Sequence, residues 1–305
     1  MVRVTTRVGA SSLEAALAAD SRYEHYFFFR EGELQAHEEY ATALALRTLT
    51  REGCFVDVGA NLGWYCVLAS RRAAKGTVVA FEPDAANMAL CMKNAAMNRC
   101  DSLQLVQMAL GSETKICSYM RRDEEPSLEL RIGTAQPQIG IRCTVGMTTL
   151  DDFCRGIQCR PDVVKIDVEG SEVDVLDGMT HVLAQYRPHV LVECHPRRGR
   201  EPESTPQVVS RLRRAGYDVF DVGKGVVRGG SMQRLGMRSI WVSNTIVYAR
   251  PVRAQRRRVD LASLYRDSGR RPGRRGGHAT GASLFPPGFA TSATSRPGAR
   301  AGRPV

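Results

Sequence analysis

The sequence predicts an α/β fold built on a mostly parallel, doubly wound sheet. From Cys54 onward, short apolar runs alternate with longer segments of helical periodicity, which is typical of successive βαβ units. The apolar runs show no polar alternation, as expected of strands that are buried on both faces. The first run leads directly into a glycine-containing turn and a helix, a connection that doubly wound folds use at their ligand site.

The individual elements follow from apolar runs and helix signals along the chain. We predict that residues 11–50 are mainly helical and form an N-terminal cap, with Ser12 as a helix N-cap. Strands are predicted at CFVDVG, TVVAFEP, LQLVQMAL, DVVKIDV, HVLVEC and YDVFDV. Helices are predicted between them at GWYCVLASRRAA, DAANMALCMKNAAMN, SEVDVLDGMTHVLAQY and TPQVVSRLRRAG.

Two further segments complete the predicted sheet region. Residues 111–150 contain the strand-like segments TKICSYM and GIRCTVGMTTL and no good helix, which predicts a β-hairpin insertion beside the sheet. The last strand candidate, SIWVSNTIVYAR, is rich in β-branched and aromatic residues. We expect it to pair with the preceding strand at the edge of the sheet.

Net charge divides the chain into a near-neutral body and a basic tail. The formal charge is +11, and residues 251–305 contribute +10 of it through twelve arginines and two aspartates. These residues are rich in Arg, Gly and Pro and lack apolar periodicity, which predicts disorder. We therefore predict a cap over residues 1–50, an α/β domain over 51–250 and a tail over 251–305. The near-neutral body disfavours a nucleic-acid-binding groove.

Cysteine spacing and hydropathy exclude several classes of protein. The nine cysteines form no C-x-x-C pair and no His follows at a zinc-finger interval, so we predict no metal site. The opening segment lacks the apolar core of a signal peptide. No stretch reaches the roughly 18–20 apolar residues of a membrane span. We expect a soluble protein in the cytoplasm.

The segment FVDVGANLG combines a buried strand with a loop suited to a nucleotide-like ligand. Gly59 and Gly63 allow a sharp turn and close approach of a ligand to the backbone. The next strand ends at Glu82, whose carboxylate can accept both ribose hydroxyl hydrogens of an adenosine. Asp57 can receive the ammonium group of an amino-acid tail, and the loop amides can face its carboxylate. Because Asn61 replaces the middle glycine of the dinucleotide motif, the loop favours S-adenosylmethionine over NAD.

Six segments in order resemble the FkbM family of methyltransferases: FVDVGANLGWY, VVAFEPDAANMALCMKNAAMN, MALGSE, TTLDDF, DVVKIDVEGSEVDVLDGM and VLVECHP. They span roughly residues 52–196, leaving residues 1–30 and the tail uncovered. The resemblance implies a class I, Rossmann-like methyltransferase fold and methyl transfer from S-adenosylmethionine, often to a hydroxyl of a sugar or secondary metabolite. It also implies that acceptor specificity resides in the N-terminal part.

A second group of polar residues follows the later strands. Asp167 and Glu169 come after the apolar run VVKI, and Glu193 and His195 close VLVECHP, so all four are expected at the carboxyl edge of the sheet. Asp167 and Glu169 could instead cap the following helix. His195 could act as a general base, because imidazole titrates near neutrality, or be an ordinary loop histidine. Asp167 and His195 are our candidate catalytic residues.

Methyl transfer from a sulfonium depends mainly on alignment of the reactants, so no nucleophilic side chain is required. With no [DN]-P-P-[YF] segment, we expect a hydroxyl acceptor on a small molecule or glycan, and no nucleic-acid partner. An NAD-dependent oxidoreductase is an alternative, disfavoured by Asn61 and by the lack of a Tyr-x-x-x-Lys pair. A catalytically inactive binding protein of the same fold is the other alternative.

Overall fold

The structure is a computed structural model that describes residues 2–8, 11–17, 29–30, 33–34, 39–121, 141–195, 204–222, 233–234 and 245–252. Its strands are β1 (Val2–Val8), β2 (Ser11–Leu17), β3 (Phe29–Arg30), β4 (Glu33–Leu34), β5 (Cys54–Val58), β6 (Thr77–Phe81), β7 (Leu103–Val106), β8 (Ala109–Leu110), β9 (Lys115–Arg121), β10 (Ile141–Thr148), β11 (Val163–Ile166), β12 (His189–Cys194), β13 (Tyr217–Asp221), β14 (Gln233–Arg234) and β15 (Thr245–Pro251). Its helices are α1 (Glu39–Thr48), α2 (Trp64–Arg72), α3 (Ala85–Met97), α4 (Leu150–Ile157), α5 (Glu172–Asp177) and α6 (Ser204–Arg214), with a π-helical turn at Val182–Tyr186.

The central sheet contains eight strands in the order β14-β13-β15-β12-β11-β5-β6-β7. The five neighbours from β12 to β7 run parallel, whereas β15 is antiparallel to both β12 and β13. From β5 the chain proceeds outward through β6 to β7, and it later returns to β11 on the other side of β5. This reversal creates a topological switch point between β5 and β11, where doubly wound folds bind their ligands.

Both faces of the sheet carry an apolar core. In β5, Val56 and Val58 pack on one face and Phe55 packs on the other, because successive strand residues point in opposite directions. The first core includes buried residues of three helices, α4 to α6: Leu150, Cys154, Val173, Leu176, Val208 and Leu212. The second core includes Leu49, just after α1, and buried residues of α1 and α2: Ala45, Leu46, Val67 and Leu68. The predicted doubly wound α/β fold is therefore confirmed.

The predicted N-terminal helical cap is wrong over residues 11–17. Ser11–Leu17 is strand β2, paired antiparallel with β1 along its length. Ala15 and Leu17 are buried at alternate positions, and the Asn98 side chain bonds both the backbone N–H and the C=O of Ala16, at 2.9 and 2.6 Å. A short isolated helix is marginal, so pairing with the β-branched residues of β1 outweighs helix propensity. The predicted helix in HEEYATALALRTLT is confirmed as α1.

The structure corrects three further predictions. LQLVQMAL forms two strands, because the Met108 N–H bonds to the Val106 oxygen in a tight turn that sends β8 to a separate sheet. SEVDVLDGMTHVLAQY is divided between α5 and the π-helical turn. β15 pairs with β13, the preceding predicted strand, as expected, but it lies inside the sheet between β13 and β12 instead of at the edge. Its residues Ile246 to Ala249 are buried.

The β-hairpin insertion is confirmed among the described residues. β9 and β10 pair antiparallel, and β10 also pairs with β8 in a three-stranded sheet. Helix α4, which follows β10, was not predicted. None of the described helices is long and apolar enough to cross a membrane. The predicted tail beyond Val252 and the first part of SIWVSNTIVYAR lie outside the described residues.

Candidate active site

The glycine loop lies at the carboxyl end of β5 and is held against the end of β6. The N–H groups of Gly59 and Ala60 both donate to the Phe81 oxygen at 2.9 Å. Gly59 has φ +83°, and a Cβ built there would lie 1.8 Å from the backbone oxygen of Asp167. The close approach that requires glycine at this position is therefore made by the end of β11, rather than by a ligand as predicted.

Left-handed backbone conformations recur at alternate positions of the loop. Gly59, Asn61 (φ +50°) and Gly63 (φ +93°) all have positive φ. Asparagine tolerates this region better than most residues with a Cβ, which explains why the middle position can hold Asn61. Gly63 precedes the first turn of α2, so the N-terminus of this helix, with the positive end of its dipole, lies at the switch point.

Glu82 ties the glycine loop to the start of α3. Its Oε2 accepts a hydrogen bond from the Asn61 N–H at 2.8 Å, and its Oε1 accepts one from the Asp84 N–H at 2.9 Å. Burial raises the pKa of Glu82 to about 7, although these hydrogen bonds lower it. A carboxylate offers about four acceptor positions, so Glu82 retains acceptor capacity for hydroxyl groups of a ligand.

Asp57 is a fully buried carboxylate at the end of β5. Neither of its oxygens accepts a hydrogen bond of good geometry among the described residues, although the backbone N–H of Cys66 is close enough to lower its pKa. Burial raises the pKa of Asp57 to about 6, the Lys165 charge lowers it, and the Asp167 charge raises it. Because an unsatisfied buried carboxylate is costly, a cationic ligand group at this position would stabilise it. Three of the loop amides, those of Gly59, Ala60 and Asn61, donate within the protein and are therefore not free for the predicted ligand carboxylate.

Asp167 and Lys165 form a largely buried ion pair at the end of β11. Lys165 Nζ donates to Asp167 Oδ2 at 3.0 Å and lies 4.8 Å from the centre of the Tyr65 ring. Lys165 is paired with Asp57 in the register of β11 and β5, so the two side chains share one face of the sheet. Burial and the charge of Glu193 raise the pKa of Asp167 above its ordinary range.

His195 is enclosed by four carboxylates. Its Nδ1 lies 3.1 Å from Glu172 Oε1. Its Nε2 lies 3.1 Å from Glu193 Oε1, 3.4 Å from Glu169 Oε1 and 3.8 Å from Asp167 Oδ1. Burial alone would lower the pKa of His195, but the four carboxylates outweigh it and raise the pKa to about 11. The imidazole is therefore protonated at neutral pH in this arrangement, which does not suit a general base.

The comparisons with known proteins identify the family. The model for the FkbM methyltransferase domain matches residues 57–219, more than half of the chain. The chain belongs to the FkbM methyltransferase family. The matched residues include every candidate site residue named from the sequence. The comparisons do not support the oxidoreductase or the inactive binding protein as alternatives.

Two relatives of this chain in sequence are methyltransferases by name. Hexuronic acid methyltransferase AglP of Haloferax volcanii is 28% identical over 177 residues, covering 58% of this chain and 69% of AglP. Methyltransferase sdnD of Sordaria araneosa is 26% identical over 195 residues, covering 54% of this chain and 73% of sdnD. The solved structure of the FkbM methyltransferase from Methylobacillus flagellatus KT matches with 16% identity and a TM-score of 0.43, covering 74% of this chain and 47% of that one.

The structure of the FkbM domain brings the predicted residues to one edge of the sheet. Asp57, Gly59, Asn61, Gly63 and Glu82 surround the end of β5, and Asp167 and His195 lie at the ends of β11 and β12. Sequence reasoning missed the contacts of Lys165, Glu172 and Tyr65. Strand periodicity could have found Lys165, because it lies two residues before Asp167 and therefore faces the same side.

Proposed function

We propose that this FkbM protein transfers the methyl group of S-adenosylmethionine to a hydroxyl oxygen of a sugar or small metabolite. The observation that carries the proposal is Asp57, a buried carboxylate that accepts no hydrogen bond of good geometry among the described residues, at the switch point beside the glycine loop. S-adenosylmethionine has an ammonium group that suits such a carboxylate. It also has ribose hydroxyls that suit Glu82 at the end of the neighbouring strand.

Three parts of the cofactor would each have a partner in the protein. Asp57 would bind the ammonium group, and Glu82 would accept hydrogen bonds from the ribose. The first turn of α2 would attract the cofactor carboxylate through its backbone N–H groups and helix dipole. Asn61 and Glu82 are joined by a hydrogen bond, so the loop and the ribose partner are held as one unit.

The chemistry needs an aligned hydroxyl and a place for its proton. S-adenosylmethionine carries the methyl group on a positively charged sulfur. The acceptor oxygen attacks the methyl carbon in line with this sulfur, which leaves as S-adenosylhomocysteine. Asp167 is the proposed proton acceptor, because its raised pKa increases its basicity and its side chain remains 23% exposed. His195 would hold Glu193 and Asp167 in position. The acceptor class is supported by the sequence similarity to AglP, whose name specifies a hexuronic acid.

Isothermal titration calorimetry tests the cofactor. We expect the wild-type protein to bind S-adenosylhomocysteine and not NAD⁺. Asp57→Asn should weaken binding of S-adenosylhomocysteine about ten- to hundredfold, because one charge-assisted contact is lost. Asp101→Asn removes an exposed aspartate outside the site and should leave binding unchanged. Equal affinity of wild type and Asp57→Asn would contradict the proposed cofactor site.

Methyl transfer is tested next with a labelled methyl donor. We expect label to appear on hydroxylated acceptors, with uronic acids and their glycosides as the first panel. Asp167→Asn should lower the rate of transfer with little effect on binding of S-adenosylhomocysteine. If only amine acceptors become labelled, the assignment of an oxygen acceptor is wrong.

A further inference from the structure

We propose that Asp167, Glu193 and His195 form a binding site for one divalent metal cation, with Glu169 as a further ligand. One ligand atom from each of the first three residues can be chosen so that all lie within 4.8 Å of one another. The sequence predicted no metal site, since these residues are separated along the chain and match no metal motif. They converge because β11 and β12 are adjacent parallel strands that end at the same edge of the sheet.

Two of the three distances around His195 Nε2 fit a shared ion, and Asp167 Oδ1 would have to move about 0.4 Å closer to reach the tetrahedral spacing. Carboxylate oxygens of Glu193, Glu169 and Asp167 lie 3.1, 3.4 and 3.8 Å from this nitrogen. Ligands about 2.1 Å from one ion lie about 3.0 Å apart on adjacent corners of an octahedron and about 3.4 Å apart on a tetrahedron. A single N–H on Nε2 can donate to only one of the three oxygens with good geometry, whereas a cation would bind all of them.

The second ring nitrogen of His195 contacts a carboxylate, as the second nitrogen of metal-binding histidines commonly does. Its Nδ1 lies 3.1 Å from Oε1 of Glu172, which is fully buried and also accepts a hydrogen bond from the Gly170 N–H at 2.8 Å. A carboxylate on the far nitrogen fixes the ring orientation and directs the other nitrogen at the metal. The second oxygen of Glu172 is buried with no hydrogen-bond partner among the described residues.

Charge and access also favour a cation. Four carboxylates, those of Asp167, Glu169, Glu172 and Glu193, surround one imidazole, and Lys165 is the ammonium group paired with Asp167. Carboxylates that converge on one point are suitable ligands for a divalent cation. Glu193 and His195 are buried, whereas Asp167 and Glu169 are each 23% exposed, so a coordination position can open toward a ligand.

The chemistry of the ligands selects the class of ion. Carboxylates suit hard cations such as Mg²⁺ and Mn²⁺, and an imidazole shifts the preference toward Mn²⁺ and other transition metals. The cation would bind Nε2 of His195 in place of its proton, because only an unprotonated imidazole nitrogen coordinates a metal. It would also coordinate the acceptor hydroxyl and lower its pKa, so that the proton can pass to the carboxylate oxygen of Asp167 that does not bind the cation. This catalytic role rests on the proposed function, whereas binding of the cation does not.

Mn²⁺ binding can be measured by electron paramagnetic resonance, because the signal of free aqueous Mn²⁺ is lost on binding. We expect wild type to bind one Mn²⁺ per chain. Glu193→Gln and Asp167→Asn should each weaken binding at least about tenfold, and Glu172→Gln should weaken it about ten- to hundredfold by releasing the His195 ring. Asp152→Asn removes an exposed carboxylate on α4 and should leave Mn²⁺ binding unchanged.

The same samples are titrated with S-adenosylhomocysteine, which keeps the two proposals apart. Retained S-adenosylhomocysteine binding in Glu193→Gln shows that the variant is folded, so its loss of Mn²⁺ binding then supports the site. A wild-type protein that binds S-adenosylhomocysteine but no Mn²⁺ at millimolar concentration would overturn the metal site and leave the proposed function intact. Equal Mn²⁺ affinity in wild type, Glu193→Gln and Asp167→Asn would also overturn it. Mn²⁺ binding without S-adenosylhomocysteine binding would overturn the proposed function alone.

Discussion

Replacing Glu82 by Gln tests how the buried carboxylate and the glycine loop depend on each other. Burial raises the pKa of Glu82 from 4.5 to about 7 in the folded protein. Because the folded-state pKa is the higher one, the folded protein holds this proton more tightly than the unfolded chain does. The corresponding stability is fully present below pH 4.5 and is lost as the pH rises through about 7. At roughly 1.4 kcal/mol per pKa unit, the loss approaches about 3 kcal/mol.

Urea unfolding of the ligand-free proteins measures this effect. Between about pH 5 and about pH 8, the free energy of unfolding of wild type relative to Glu82→Gln should fall by about 3 kcal/mol, because the amide cannot ionise. Glu52→Gln, which removes an exposed carboxylate before the opposite end of β5, should show the wild-type pH dependence. A difference between wild type and Glu82→Gln that does not change with pH would refute the assignment of a raised pKa to Glu82.

The same variant tests recognition of the ribose. The ionised carboxylate is the better acceptor for hydroxyl groups, so wild-type affinity for S-adenosylhomocysteine should rise between about pH 6 and about pH 8. Glu82→Gln should bind about ten- to hundredfold more weakly at the higher pH and show a smaller pH dependence. Unchanged affinity in calorimetry would show that Glu82 does not bind the ribose and serves only through its hydrogen bonds with Asn61 and Asp84.

Three further substitutions or deletions give distinct outcomes. Gly59→Ala should lower the free energy of unfolding by about 2–4 kcal/mol, because its Cβ would meet the end of β11 at a residue with positive φ. The control Gly156→Ala in α4, where a Cβ meets nothing within 4 Å, should be neutral or stabilising. Equal melting temperatures of the two variants would contradict this packing. In urea unfolding at about pH 8, ligand-free Asp57→Asn should be at least as stable as wild type, because the substitution removes an ionised buried carboxylate. A large loss of stability would instead show that Asp57 stabilises the folded protein. Deletion of residues 254–305 should leave the melting temperature and the affinity for S-adenosylhomocysteine unchanged, since the deleted segment lacks apolar periodicity, and a lower melting temperature would show that the tail is part of the fold. The deletion retains Val252 because the Val252 N–H bonds to the Gly216 oxygen.

The N-terminal hairpin shows where sequence periodicity is insufficient. SSLEAAL has the composition of a helix, yet it forms strand β2 because β1 precedes it and Asn98 bonds to its backbone. The periodicity of residues 11–17 contains no information about either partner. A prediction from these residues alone therefore favours a helix. The position of β15 inside the sheet has the same origin, since pairing partners are chosen among strands that are distant along the chain.

The sequence by itself determined the fold class, the glycine loop and the polar residues at the strand ends. These features depend on local order: apolar runs set the strands, and Gly59, Glu82 and Asp167 follow their strands directly. The tertiary structure alone decided the electrostatics of the site. It placed four carboxylates around His195 and left Asp57 buried without a hydrogen bond of good geometry among the described residues, and pKa values depend on such through-space neighbours. A histidine that resembles a general base in the sequence therefore lies among carboxylates that raise its pKa in the folded protein.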